Sequence, residues 1–385
     1  MGQAGVKSTS TVHTLISVDE NISMTDWSLK ASDIGLEGSW SINLTTLRGG
    51  KQEGVKLIEV HNGDLSFTVI PTRGMSVHKV EKESLKLAWN SPVKEFVHPQ
   101  FINLEANRGL GWLDGFNEWM ARCGMEYAGH PGIDNGRMLN LHGRIGNIPA
   151  SEVEVVIDEV PPHRIRIRGK VKEVYFNGPN LELWTEISTE PGSSAVRFED
   201  RLTNLSQKEQ EFMVLYHANF GSPLLEAGSR LFGSVEKVIP FDDFAAEDID
   251  HWDTYGGPIS GIAERVYCIY PKADKQGNAH FLLQSAGGDQ GVSFSYKVDQ
   301  LPYFTQWKNQ DSDGYVTGLE PGTGFPHNRS IERKYGRVPV LPPGGERVFR
   351  IDYLLHTDQK SVAAVRDKLL EYMSTIEISD NVIPK

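Results

Sequence analysis

The feature that most constrains this chain is an alternation of apolar and polar residues with a period of two, recurring from residue 56 onward. In DLSFTVI, Leu65, Phe67 and Val69 alternate with Ser66 and Thr68. In RIRIRGKV, Ile165, Ile167 and Val171 alternate with Arg164, Arg166, Arg168 and Lys170. Successive side chains of an extended strand point to opposite faces, so each pattern presents one apolar and one wet face. LELWTEI, AVRFEDRL, EFMVLY, HFLLQ, VSFSY and RVFRIDYLL are further strand candidates, separated by clusters of Gly, Pro, Asn and Asp. Many short strands with little helix predict an all-β chain built as an antiparallel sandwich. Only the C-terminus breaks the pattern. There Val362, Val365, Leu369, Tyr372 and Met373 follow helical spacing after Thr357-Asp358, which predicts one short helix.

The chain divides on this reading into a loose N-terminal arm (1–30), one large β domain (31–360), and a C-terminal helix and tail (361–385). The arm is expected because SMTDWSLKASDIG shows no sustained periodicity. With 39 Lys and Arg against 51 Asp and Glu, the formal charge is −12. That balance argues against nucleic acid as a partner, since a phosphate groove needs clustered cations. No apolar run approaches the roughly 20 residues of a spanning helix, so no membrane partner is expected. The opening residues lack the apolar core of a secretory leader. Two cysteines, Cys123 and Cys268, suit neither a disulfide framework nor a thiolate zinc site. A cytoplasmic setting is the expectation, with the choice between monomer and homo-oligomer open.

Four loop-like segments rich in Gly, Pro and Asn hold the most pointed polar residues: PTRGMS (71–76), NLHGRIGN (140–147), YHANFGSPL (216–224) and LEPGTGFPHNRS (319–330). Functional groups concentrate on such loops at the ends of rigid sheets. His142 reads either as a turn histidine or as a donor aimed, with Arg144, into a cleft. His217, at the end of the apolar run FMVLY, is either a satisfied core histidine or a proton donor, its ordinary pKa being suited to that work. Glu320 is either a surface turn residue or a carboxylate whose pKa burial raises for base chemistry. His98, His130, His142, His217 and His327 show no HxH or HxxxH spacing, so neither a metal nor another cofactor is expected.

The order of these elements resembles the aldose 1-epimerase (galactose mutarotase) superfamily: a His in LHG, then Thr203-Asn204-Leu205 followed by His217-Ala218-Asn219-Phe220, then Glu320 before Pro321. Within it, VIPTRGMSV, GLGWLDGFNEWMARCGMEYAGH, LNLHGRIGNIPA, HANFGSPLLEAGSR and YVTGLEPGTGFPHNR resemble the DUF4432-type branch, over most of residues 55–355. Two spellings depart from the mutarotases: LHGR stands for LHGG, and the second His motif ends in GSP. The resemblance implies a galactose mutarotase-like β supersandwich with a shallow sugar cleft. It also implies Glu320 as the base at the anomeric hydroxyl, His217 as the acid at the ring oxygen, and His142 as a hydrogen bond to the sugar. A sugar further requires hydroxyl partners and aromatic plates. Arg73, Arg144, Asn219, Lys308 and Arg329 are the candidates for the first, and Trp112, Trp119 and Trp307 for the second. All are expected around one concave site. The cationic groups near these loops, in an acidic protein, hint at an acidic sugar. The alternatives are an isomerase or epimerase acting at another carbon, metal-assisted or not, and a carbohydrate-binding protein without catalysis.

Overall fold

In a computed structural model, residues 10–384 are described. The alternating segments form two large sheets packed face to face, one of ten strands and one of thirteen. Ile165–Val174, Asn180–Thr189, Ala195–Asn204 and Glu346–His356 are consecutive antiparallel neighbours in the ten-stranded sheet. In Ala195–Asn204 the alternation is visible residue by residue: Val196, Phe198 and Leu202 are buried, while Glu199 and Arg201 face solvent. On the outer face Arg168 pairs with Glu154, Lys172 with Glu182 and Arg201 with Glu346. The arginines of RIRIRGKV are thus neutralised in cross-strand ladders.

One hydrophobic cluster fills the space between the sheets, running from Leu15 to Leu355 in sequence. A charged pair crosses it. Arg122, from the larger sheet, meets Asp200, from the smaller, at 2.6 Å, and Tyr216 donates to the same carboxylate at 2.8 Å. A buried pair of this kind is tolerated because its lone pairs and protons are taken up by neighbours; here Met75 O also accepts from Arg122.

The helix spans Gln359–Met373, opened by Asp358, whose side chain accepts from Ser361 N at 2.9 Å. It buries Val362 and Leu369 against Phe232 and Leu282. The expected loose arm is corrected. Ser10–Ser17 is a strand paired with Glu152–Asp158, and Trp27–Lys30 pairs with Ser41–Thr46 at the edge of the other sheet. These edge strands bury few large side chains, Leu15 and Leu29 among them, so the apolar period is faint. Residues 1–9 of that expected arm lie outside the described residues.

Candidate functional site

Five consecutive strands of the larger sheet carry the site: Arg265–Pro271, Tyr303–Asn309, Val316–Gly322, Met213–Phe220 and Met120–Met125. Met213–Phe220 is buried on both faces. Val214, Tyr216, Ala218 and Phe220 enter the core between the sheets, while Met213 and Leu215 pack beneath the cleft, with His217 on that same side. Its neighbour pairs Leu215 with Gly322 and Ala218 with Leu319, which sets His217 and Glu320 side by side across the two strands. His217 Nε2 lies 3.2 Å from Glu320 Oε1. Gly318 makes this possible. A Cβ there would sit 2.2 Å from Glu320 Oε1 and 3.1 Å from Trp307.

His142 reaches the same place from a loop. Its own φ is 57° and that of Gly143 is 75°. A Cβ on Gly143 would come within 2.0 Å of Tyr127 O, so LHG needs its glycine here. Backbone bonds from Gly124 N to His142 O and from Arg144 N to Gly124 O, both 3.0 Å, fasten the loop to the strand beside His217. The two imidazoles lie 5.2 Å apart, nearly perpendicular. Trp112, Phe116 and Trp307 complete an aromatic wall at 5.8, 5.2 and 5.5 Å from the His217 ring.

The resulting cleft has a volume of about 520 Å³ and is lined also by Thr305, His130 and Glu264, within the size range of small-molecule sites. Its electrostatics follow from burial. The Glu320 carboxyl is pushed well above its ordinary pKa by burial, with the charge of Glu264 adding to it. Burial lowers His217 to about 4, against a smaller upward pull from Asn219. His142 is pushed well down by burial, then by His217 and His130. Asn219 fixes the tautomer. Its Nδ2 donates to Glu118 O and His217 O, both at 3.0 Å, so its Oδ1, 2.8 Å away, must accept from His217 Nδ1. In that tautomer Nε2 carries the lone pair and lies on the Glu320 side of the ring. Among the described residues neither Glu320 Oε1 nor His142 Nδ1 has a hydrogen-bond partner.

Of the nine residues expected at one site, the structure brings together His142, His217, Glu320 and Trp307, with Asn219 behind them. It does not bring in the four cations. Arg73 is buried in an ion pair with Glu118 at 2.9 Å and donates to Gly146 O and Val97 O. Arg329 is held by Asp134 at 2.7 Å and by Glu126 O. Lys308 follows Trp307 in a strand and so points to the other face, where it donates to Thr254 O and His251 O. Arg144 faces a different depression. Among the described residues no Lys or Arg lines the cleft, so the cations behind the hint of an acidic sugar lie elsewhere. Trp112 lines the cleft as expected, whereas Trp119 is wholly buried among Phe198, Phe220 and Tyr353. Sequence reasoning missed Phe116, Thr305 and Glu264. Thr305 was findable, being two residues from Trp307 on one strand face; Glu264, in a loop, gave no signal. Glu264 accepts from Trp307 Nε1 at 2.7 Å and so fixes the plate's edge. Among the described residues no three His, Cys, Asp or Glu side chains are grouped as metal ligands. No helix among them is long and apolar enough to cross a membrane.

Residues 52–355 match the family model described as a domain of unknown function, DUF4432. A crystal structure of a Klebsiella pneumoniae subsp. pneumoniae MGH 78578 protein, provisionally named an aldose 1-epimerase, is 40% identical. It aligns over 98% of this chain and 100% of that one, with a TM-score of 0.96. More distant likenesses, each 13% identical, show the fold alone. A galactose mutarotase-like protein of Clostridium acetobutylicum matches over 80% of this chain and 97% of its own (TM-score 0.54). The galactose 1-epimerase of Lactobacillus acidophilus NCFM matches over 82% and 99% (TM-score 0.51). No curated protein matches the sequence. With most of its length matched by one family model and a near-superimposable relative along the whole of it, the chain belongs to the DUF4432 family and has the galactose mutarotase-like fold.

Proposed function

We propose that this protein is a carbohydrate isomerase of the aldose 1-epimerase kind, interconverting the anomers of an uncharged sugar. The observation that carries this reading is the His217–Glu320 contact, 3.2 Å long, at the floor of an aromatic-walled cleft. A hemiacetal carries its two reacting oxygens on one carbon, and two protein groups this close can address both. Ring opening needs the hydroxyl proton removed and the ring oxygen protonated as the C–O bond breaks. With the pair's proton on His217, Glu320 is the base at the anomeric hydroxyl and His217 Nε2 the acid at the ring oxygen. The proton count of the pair is unchanged. After the aldehyde face turns, Glu320 returns its proton to the new hydroxyl oxygen while His217 recovers the other. Each positioned group of this sort contributes roughly 10²–10⁴-fold. His142, kept neutral, serves as a hydrogen-bond partner, and Trp112 and Trp307 offer flat faces to the C–H side of the ring.

An uncharged substrate follows from the lining. Two carboxyl groups and three histidines surround the cleft without a cation, so a phosphate, sulfonate or carboxylate would be desolvated unpaired. NMR exchange spectroscopy of anomers, run over neutral aldoses, uronic acids and sulfonated sugars, tests the reading. Accelerated exchange confined to neutral sugars is expected. No acceleration for any sugar, or acceleration of the anionic ones alone, would overturn it.

A further inference from the structure

The arginine that turns LHGG into LHGR takes no part in the cleft described above. The loop crests between two depressions: His142 lines the first, and Arg144 lines a second, of about 470 Å³, on the other side. There the Arg144 guanidinium lies 5.6 Å from the centre of the Tyr175 ring, within electrostatic reach of Glu173. Glu173 lines the same cleft though only 2% exposed. Its Oε2 accepts from Met125 N and Glu126 N, each at 2.9 Å, which leaves the other oxygen for an occupant. Burial raises the Glu173 carboxyl to about 7, helped by Glu126 and opposed by its backbone bonds, so near neutrality it both donates and accepts. Arg137 is already committed to Glu126, at 2.6 Å, and to the Tyr175 hydroxyl.

These groups select among ligand chemistries. A phosphate would meet Glu105, Glu126 and Glu173; a cation would meet two guanidiniums. Neighbouring hydroxyls, in contrast, donate to a carboxylate and accept from a guanidinium, and a sugar's C–H face suits an aromatic ring. We propose that this cleft is a second carbohydrate site, holding an uncharged polyhydroxylated ring through Arg144, Glu173 and Tyr175. The site goes beyond the catalytic reading and stands without it. Its occupant has two sources: a free sugar, or the next ring of an oligosaccharide whose reducing end lies in the first cleft.

Saturation-transfer NMR and calorimetric titration separate these, with D-galactose and D-glucose as free rings and lactose and maltose as linked ones. Wild-type protein should show two classes of binding. Trp307→Ala should weaken one class and Arg144→Ala or Tyr175→Ala the other, each by about tenfold or more. Glu173→Gln, which keeps an acceptor for the two amides, repeats the test should Tyr175→Ala disturb folding. Disaccharides that bind tighter than monosaccharides only when both clefts are intact identify a linked ring. Two independent monosaccharide events identify a free one. A single class of binding, lost in Trp307→Ala and untouched in Arg144→Ala, would overturn the second site. Because these readouts need no turnover, failure of the anomer-exchange reading would leave them intact.

Discussion

His217 Nε2 and Glu320 Oε1 lie 3.2 Å apart on adjacent strands, and burial drives their proton affinities in opposite directions, His217 down to about 4 and Glu320 well up. Burial disfavours the charged form of each, and an exchangeable proton between groups this close titrates with the pair.

Removing either member should abolish that exchangeable proton. Glu320→Gln keeps size and hydrogen bonding but not basicity, and His217→Asn keeps polarity but not titration. Each is expected to lower anomer exchange by roughly 10²–10⁴-fold while leaving sugar binding nearly unchanged. The wild-type rate should fall below about 4, where His217 takes up a proton, and again as pH rises through the raised pKa of Glu320. Near-full exchange in Glu320→Gln would exclude Glu320 as the base.

Asn219 should matter through His217 and not through the sugar. Its amide is pinned by Glu118 O and His217 O, so only the Nδ1–H tautomer of His217 fits against it. Asn219→Ala frees the ring to turn and to take the other tautomer. We expect kcat to fall by about 10–100-fold, in line with the loss of one buried hydrogen bond, with little change in KM. The ring-nitrogen shifts of His217 in NMR would report the tautomer directly.

The main outline of this molecule was legible because burial imposes a period on a strand. DLSFTVI, RIRIRGKV and RVFRIDYLL all fell in strands, and the Asp358 cap fixed the start of the helix. The edge strand Ser10–Ser17 was not legible, since an edge needs only a few buried side chains. In the site, the loop histidine, the strand histidine and the glutamate were found because their spelling is local. The cations misled because their partners are distant in sequence: Arg329 meets Asp134, and Lys308 meets the carbonyls of His251 and Thr254. Proximity of a charge to a functional motif in sequence does not tell which distant partner it meets, although the strand period already set Lys308 on the face opposite Trp307.

Arg73 sharpens that distinction. It lies on PTRGMS yet forms a wholly buried pair with Glu118. Arg73→Ala would strand that carboxylate and should cost about 3–5 kcal/mol of stability, read in urea unfolding. Sugar affinity, measured well below the transition, should not change. A variant of wild-type stability with weakened binding would return Arg73 to the substrate.

Stability should depend on pH through His217 and Glu320. For His217 the folded pKa is depressed from 6.5 to about 4. Its contribution is complete above 6.5 and is lost as pH falls toward 4, amounting to about 3 kcal/mol. His142 shifts in the same direction. Glu320 is raised above 4.5, so its contribution is present below that value and is lost as pH rises toward its folded pKa. Thermal unfolding across pH 4–9 should therefore show His217→Asn flattening the acid side and Glu320→Gln flattening the alkaline side. Parallel curves for wild type and both variants would mean that neither group is buried in the form described.

The most discriminating change is the smallest. Gly318 lies opposite Trp307 on the strand that carries Glu320, with a φ outside the left-handed region, so alanine there meets no backbone strain of that kind. What it meets is the Glu320 carboxyl. The new Cβ would lie 2.2 Å from Glu320 Oε1 and 3.1 Å from Trp307 Cε3. The indole edge is held by Glu264, and the core-facing side chains of the strand are packed on the other side, so Glu320 must swing away from His217. A misplacement of about 1 Å in a catalytic group can cost about 10²-fold in rate. Gly318→Ala should therefore lose anomer exchange by about that factor while keeping the sheet and its circular dichroism. His217 should then titrate as an isolated buried imidazole, visible in its ring-proton shifts. Should the variant keep both its rate and the wild-type titration of His217, the 3.2 Å contact would not be the seat of the chemistry.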